Sequence, residues 1–129
     1  MSKTNLPRPT DAELVILKAL WKLGPSTVRR VQDELNQNQP TGYTTVLKML
    51  QIMTEKGLVS RDESERTHVY EAALPEEETH KQLVSDLMDR AFGGSARKLV
   101  VRALSIKQAS RKELAQIRQL LDELEGGAK

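Results

Sequence analysis

Residues 41–70, TGYTTVLKMLQIMTEKGLVSRDESERTHVY, decide how this chain folds. Val46, Met49, Leu50 and Met53 recur at i, i+3, i+4 and i+7, so the spacing predicts a helix with one apolar stripe turned to a core. The other face opens with Thr41, Gly42, Tyr43, Thr44 and Thr45 and continues through Lys48 and Gln51. Those side chains are short or hydrogen-bonding, as an element entering a DNA groove requires. Gly57 follows the cation Lys56 and stands where a helix end favours a left-handed residue. The remainder reads as a short two-stranded hairpin with a charged turn. Helix, stop, strand, charged turn, strand is the order of a recognition helix followed by a wing.

The upstream residues supply the rest of that arrangement. Thr10-Asp11-Ala12-Glu13 has capping-box spacing, with Thr10 as N-cap and Glu13 three residues on. Leu14, Leu17, Leu20 and Trp21, with Val15 alongside, then form a helical apolar face that ends near the breakers Gly24-Pro25. Ser26 or Thr27 caps a second, short helix bearing Val28, Val31 and Leu35, and Asn36 to Thr41 (NQNQPT) is a polar turn. Three helices and a hairpin within about 65 residues form the layout of a winged helix-turn-helix, in which the third helix is the reader. Any one of these helices alone would say little, since most amphipathic helices simply pack. The order of all five elements carries the reading.

The second half differs in character. Leu74-Pro75-Glu76-Glu77-Glu78 puts Pro at a first helical position and three acids over the first turn, where the helix dipole favours them. The helix it opens carries Leu83, Val84, Leu87, Met88 and Ala91 and stops at Gly93-Gly94. A second carries Ala96, Leu99, Val100, Ala103 and Leu104. Ser110-Arg111-Lys112-Glu113 is another capping box, opening a third helix with Leu114, Ile117, Leu121 and Leu124 at a/d-like spacing. Three amphipathic helices in about 50 residues make a core too small to stand alone. Pairing two copies would bury Leu83, Leu87, Leu99, Val100, Leu114, Ile117 and Leu121, and a monomeric cap on the head is the plainer alternative. The expected fold is mainly α with a small β-hairpin wing, a winged helix-turn-helix head at residues 6–74 and a helical dimerisation module at residues 75–125.

Composition sets bounds on this reading. The chain has 129 residues, 38% of them hydrophobic, with one Phe, one Trp and two Tyr, so its core must be built from Leu, Val, Ile and Met. There is no cysteine, hence no disulfide, thiolate metal site or redox switch. No apolar run reaches the length of a membrane span, and Met1 to Thr10 lacks a signal-peptide core, so a cytoplasmic protein without membrane insertion is expected. Residues 1–74 and residues 75–129 each hold 10 Lys/Arg and 9 Asp/Glu, a net charge of only +1 per half. Attraction to a phosphate backbone must therefore come from locally placed cations and from dimerisation. The candidates are Arg29 and Arg30 on helix two, Lys48 and Lys56 on helix three, Arg61 on the first wing strand and Arg66 at the wing tip. Each has an ordinary alternative as a solvated surface charge. Neither His68, on the second wing strand, nor His80 has a partner at metal-ligand or triad spacing, and no Gly-rich phosphate loop occurs. No enzyme, metal or cofactor is expected.

The runs TDAELVILKALWKLGPSTVRRVQDEL, GYTTVLKMLQIMTEKGLVSR and THVYEA resemble the penicillinase-repressor (BlaI/MecI-type) family of transcriptional regulators. The shared marks are Glu13, Leu20-Trp21, Thr45-Val46 and Lys56-Gly57-Leu58-Val59, and the likeness extends through Phe92-Gly93-Gly94-Ser95 to the final helix. It implies a dimeric repressor that binds a palindromic operator in double-stranded DNA. The copper-responsive branch of such proteins ends in paired cysteines, which this chain lacks. In the penicillinase branch a membrane sensor-protease cuts within the helix corresponding to Leu99–Leu104. The resemblance aligns that bond with Arg102 and Ala103, where the family pattern has Asn-Phe. A protease of different specificity, or no link to β-lactam sensing, would each account for the difference.

Together these readings place Gly42, Tyr43, Thr44, Thr45, Leu47, Lys48 and Gln51 of helix three at the groove. Thr methyls and Leu47 face thymine methyls, while the hydroxyls and Tyr43 fix phosphates. Arg29 from helix two and Arg61 and Arg66 from the wing touch the flanking backbone. The rival reading is a winged-helix adaptor that docks a protein and assembles a complex. Low net charge favours the adaptor; the Thr-rich helix start favours the reader.

Overall fold

A computed structural model describes residues 8–127. The expected domain start at residue 6, most of the Met1-to-Thr10 stretch and the end at Ala128-Lys129 lie outside them. Among the described residues six helices and one hairpin follow in the order α1 (Asp11–Leu23), α2 (Val28–Asn36), α3 (Tyr43–Lys56), β1 (Val59–Asp62), β2 (Val69–Ala72), α4 (Glu76–Ala91), α5 (Ala96–Ile106) and α6 (Arg111–Gly127). The chain divides into two compact units, Met1–Val84 and Ser85–Lys129, the first of which takes in the first half of α4.

In the first unit, α1 begins with both halves of the Thr10–Glu13 capping box in place. The same Glu13 carboxylate reaches across to α3, where its Oε2 accepts from Lys56 Nζ at 2.7 Å. Glu13 is only 5% exposed, so one side chain caps α1 and ties its start to the end of α3. The buried face of α1 is rotated from the expected one: Ile16, Leu17, Ala19 and Leu20 are buried, Leu14 is partly buried and Val15 faces solvent. Thr27, not Ser26, caps α2 by accepting from the Arg30 N–H. Ser26 is instead buried and exchanges backbone hydrogen bonds with Tyr70 at 2.9 and 2.8 Å, adding a bridge to the hairpin edge.

Helix α3 starts at Tyr43, with Gly42 as N-cap, and Thr41 belongs to the preceding turn. That turn is pinned from α2: Asn36 Oδ1 accepts from the Thr41 N–H at 2.7 Å and Gln32 donates to the Thr41 carbonyl. Val46, Leu50 and Met53 are each 0% exposed, with Met49 partly buried against the same core. Burial of side chains of this size contributes about 1.5–3 kcal/mol apiece. Gly57 closes the helix at φ 84°, ψ 11°, and its N–H donates to the Met53 and Thr54 carbonyls. The chain then turns straight into β1, which pairs antiparallel with β2 in the register Val59↔Ala72, Ser60↔Glu71, Arg61↔Tyr70, Asp62↔Val69. His68, expected on the second strand, lies in the wing loop one residue before β2 begins.

Pro75 sits at the N-cap position of α4, one residue earlier than expected, with its carbonyl accepting from the Thr79 N–H. The opening turns of α4 belong to the head. Thr79 is buried, Trp21 Nε1 donates to the Leu74 carbonyl at 3.0 Å, and the Trp21 and His80 rings meet edge-on with centroids 6.0 Å apart.

The second unit holds the end of α4 together with α5 and α6. Gly93 and Gly94 take φ of 60° and 79° where α4 stops, as a left-handed helix exit requires. Ser95 caps α5 and Ser110 caps α6, each accepting from the N–H three residues on. No described residue from Ser85 onward is buried. Val100, Val101, Leu104 and Ile106 of α5 and Leu120, Leu121 and Leu124 of α6 stand exposed.

Candidate nucleic-acid interface

Helix α3 presents its polar face because Val46, Leu50 and Met53 hold the opposite face in the core. Tyr43, Thr44, Thr45, Lys48 and Gln51 are all exposed, and Leu47 is partly buried between that face and the core. Thr44, Lys48 and Gln51 fall at i, i+4 and i+7, a row along the helix. Gly42 provides no capping side chain, so the first N–H groups of α3 have no side-chain acceptor while carrying the positive end of the helix dipole.

The cations around this helix divide sharply. Lys56 is engaged by Glu13. Burial pushes the Glu13 carboxyl up, but Lys56 and the hydrogen bonds with Thr10 outweigh it and hold the group below its ordinary range. Arg61 is bound within the wing: its Nη2 lies 2.6 Å from Glu63 Oε2, and the Tyr70 side chain, then Glu63, raise its affinity for its proton. Asp62 accepts from the Ser64 N–H at 2.9 Å, a bond that shapes the loop and lowers the carboxyl below its usual range. By contrast Arg29, Arg30, Lys48 and Arg66 enter no ion pair and no side-chain hydrogen bond among the described residues, and all four are exposed.

Between the start of α2, the start of α3 and the wing loop lies a cleft of ~300 Å³, with Arg29, Tyr43, Leu47, Arg66 and His68 among its walls. The fold thus gathers four of the sequence candidates from three separate elements. Arg61 does not line this cleft. His68 and Thr67 do line it and were not among the sequence candidates. Metal-ligand and triad spacing says nothing for His68, whereas its place two residues after Arg66 on a wing is the signal that points to it.

Of the residues expected to pair two copies, Leu83, Leu99, Leu114 and Ile117 are partly buried and Leu87, Val100 and Leu121 are exposed. Arg102 and Ala103 sit on the exposed surface of α5, within helical backbone.

A three-helix head whose third helix shows solvent a hydroxyl-rich face beside a two-stranded wing defines a winged-helix DNA-binding protein. The penicillinase repressor family matches residues 9–123, and the chain belongs to that family. The protein is accordingly a transcriptional repressor and not an enzyme. It is 29% identical over 124 residues to the transcriptional regulator BlaI of Mycobacterium tuberculosis, covering 95% of this chain and 89% of that one. The solution structure of the DNA-binding domain of the repressor BlaI superposes with a TM-score of 0.51 at 26% identity, over 59% of this chain and 93% of that one. The monomeric form of Bacillus licheniformis BlaI, solved in complex with the blaP half-operator, superposes with a TM-score of 0.50 at 27% identity, over 57% of this chain and 90% of that one.

Proposed function

We propose that this repressor binds a palindromic operator as a homodimer in the cytoplasm. A winged-helix head at residues 6–74 reads one half-site, and helices within residues 75–125 pair the two copies. The observation that carries the reading is the exposed row on α3, flanked by cations that no acid among the described residues engages. Tyr43, Thr44, Thr45, Leu47, Lys48 and Gln51 address the major groove, with Gly42 letting the helix start close to the backbone. Arg29 and Arg66 address flanking phosphates, and Arg61 joins them by exchanging Glu63 for a phosphate. The BlaI structure solved with a half-operator supports a DNA-facing head.

Two further observations support pairing and release. A second unit in which no described side chain is buried gains a core only by covering its apolar stripes. Release follows proteolysis near Arg102–Ala103 by a membrane sensor-protease, or another signal acting on the same helices. Because that bond lies in helical backbone, α5 must open locally before a protease can take it.

The test is a salt-dependent anisotropy titration of Lys48→Ala and Thr45→Ala against an operator duplex and a scrambled one. Lys48→Ala should weaken both complexes alike and lower the salt slope by about one unit. Thr45→Ala should cost about 1–2 kcal/mol on the operator and narrow its margin over the scrambled duplex. Parental binding by both variants would remove α3 from the interface and favour a protein-docking adaptor.

A further inference from the structure

The cleft between α2, α3 and the wing is more than a patch of separate surface contacts. Its floor is closed by the buried Val28 and Tyr70, while Arg29, Arg66 and His68 stand on an exposed rim. No Asp or Glu lines it. Some cations elsewhere in the molecule are matched by acids, Lys22 by Glu34, Lys56 by Glu13, Arg61 by Glu63 and Arg90 by Asp86, while others such as Arg30 and Lys48 stand apart from the cleft without one among the described residues. Arg29, Arg66 and His68 have no such partner among the described residues. The wing loop carries Asp62, Glu63 and Glu65 before Arg66, yet the loop residues that line the cleft are Arg66, Thr67 and His68. The volume, ~300 Å³, equals about ten waters at ~30 Å³ each, enough for one phosphate group with its hydration.

We propose that this cleft is the seat of a single backbone phosphate of the bound duplex, gripped by Arg29 from α2 and Arg66 from the wing loop, with His68 as a third donor. The proposal rests on the DNA-binding reading above and deepens it, because it converts separate surface cations into one clamp. Guanidinium forks bind phosphate oxygens in paired, charge-assisted hydrogen bonds, and an imidazole N–H adds a further donor. A phosphate held from two elements at once fixes the distance between wing and duplex. It therefore sets the register in which α3 meets the bases, without itself reading sequence.

A clamp on one phosphate and a scatter over several predict different salt behaviour. Full-length parent, Arg29→Ala, Arg66→Ala and the double variant are titrated by anisotropy against a labelled random-sequence duplex across a range of salt. All substituted side chains are exposed, and a melting curve for each variant checks the fold. One shared phosphate predicts that the double variant loses about one unit of slope in all. A loss of about two units would show two separate phosphates and overturn the proposal, as would an unchanged slope. His68→Ala should weaken binding severalfold in the parent and have no effect in the double variant, where nothing is seated. A full effect of His68→Ala in that background would also overturn it. The two readings fail differently: a parent that binds no duplex overturns both, whereas a binding parent with insensitive variants overturns only the clamp.

Discussion

Glu13 performs two tasks with one carboxylate, and each has a measurable cost. Its Oε1 accepts from the Thr10 N–H at 3.0 Å and its Oε2 from Lys56 Nζ at 2.7 Å, so both oxygens are used. Lys56→Met leaves the buried carboxylate facing an apolar chain. The expected loss is about 2 kcal/mol, less than for a fully enclosed pair because the Lys56 side chain is 34% exposed. The pH dependence follows from the direction of the Glu13 shift. A carboxyl held below its ordinary value of 4.5 contributes stability that is present above that value and disappears as pH falls through the folded-state value. Thermal melts of the parent and Glu13→Gln should therefore be well separated at pH 7 and converge below pH ~4.5, within the ordinary range for a glutamate. A gap that stays constant down to pH 3 would show that the ion pair contributes nothing titratable. Only half of this residue's role was legible in the sequence. The capping box is local and declares itself by spacing, but no spacing announces a lysine 43 positions away.

At the scale of elements, the hinge between reader and wing is a single glycine. Gly57 has φ 84°, and a Cβ there would meet left-handed strain at the point where α3 hands the chain to β1. Gly57→Ala should cost about 1 kcal/mol and lower the melting temperature by about 4–8 °C for a head of this size. Calorimetry of the two proteins checks it; an unchanged melting temperature would mean that the turn relaxes freely. This stretch was the most readable part of the chain, because a period of 3.6, a stop and two short β-rich runs are all local signals. The Ser26–Tyr70 bridge was not readable. It pairs residues far apart in the sequence, and local spacing alone makes Ser26 and Thr27 equal cap candidates; only the distant Tyr70 distinguishes them. The rotated face of α1 has a similar cause: Leu14, Val15 and Ile16 are consecutive apolar residues, and only the partners α2 and β2 decide which one turns inward. The place of His68 in the cleft was not legible, because the spacing rules for metal and catalytic ligands say nothing of which side chains a wing loop turns toward α2.

For the whole molecule, the division into two units predicts how function breaks when the chain is shortened. A fragment ending at Val84 retains every buried side chain of the head, including Thr79 on α4, and should sediment as a folded monomer. The full chain should sediment as a dimer at micromolar concentration. A monomeric full-length chain would refute the proposed pairing. A chain ending at Arg102 lacks α6 and part of α5, so it should keep the winged helix yet leave an operator unprotected in footprinting at the concentration where the intact protein protects it. The loss is one of linkage, because two heads on one frame gain effective concentration that single heads lack. Full protection by that fragment would place the switch elsewhere.

The lone tryptophan gives this molecule an optical property that reports on the seating of α4. Trp21 is held by a hydrogen bond from its indole N–H to the Leu74 carbonyl and by a T-shaped contact with the His80 ring, so its surroundings are assembled from α1, the segment after β2 and the first turns of α4. Its emission colour therefore depends on whether α4 remains seated on the head. Lifting that helix would expose the indole to water and move the spectrum to the red, with no label attached and no second indole to obscure the change.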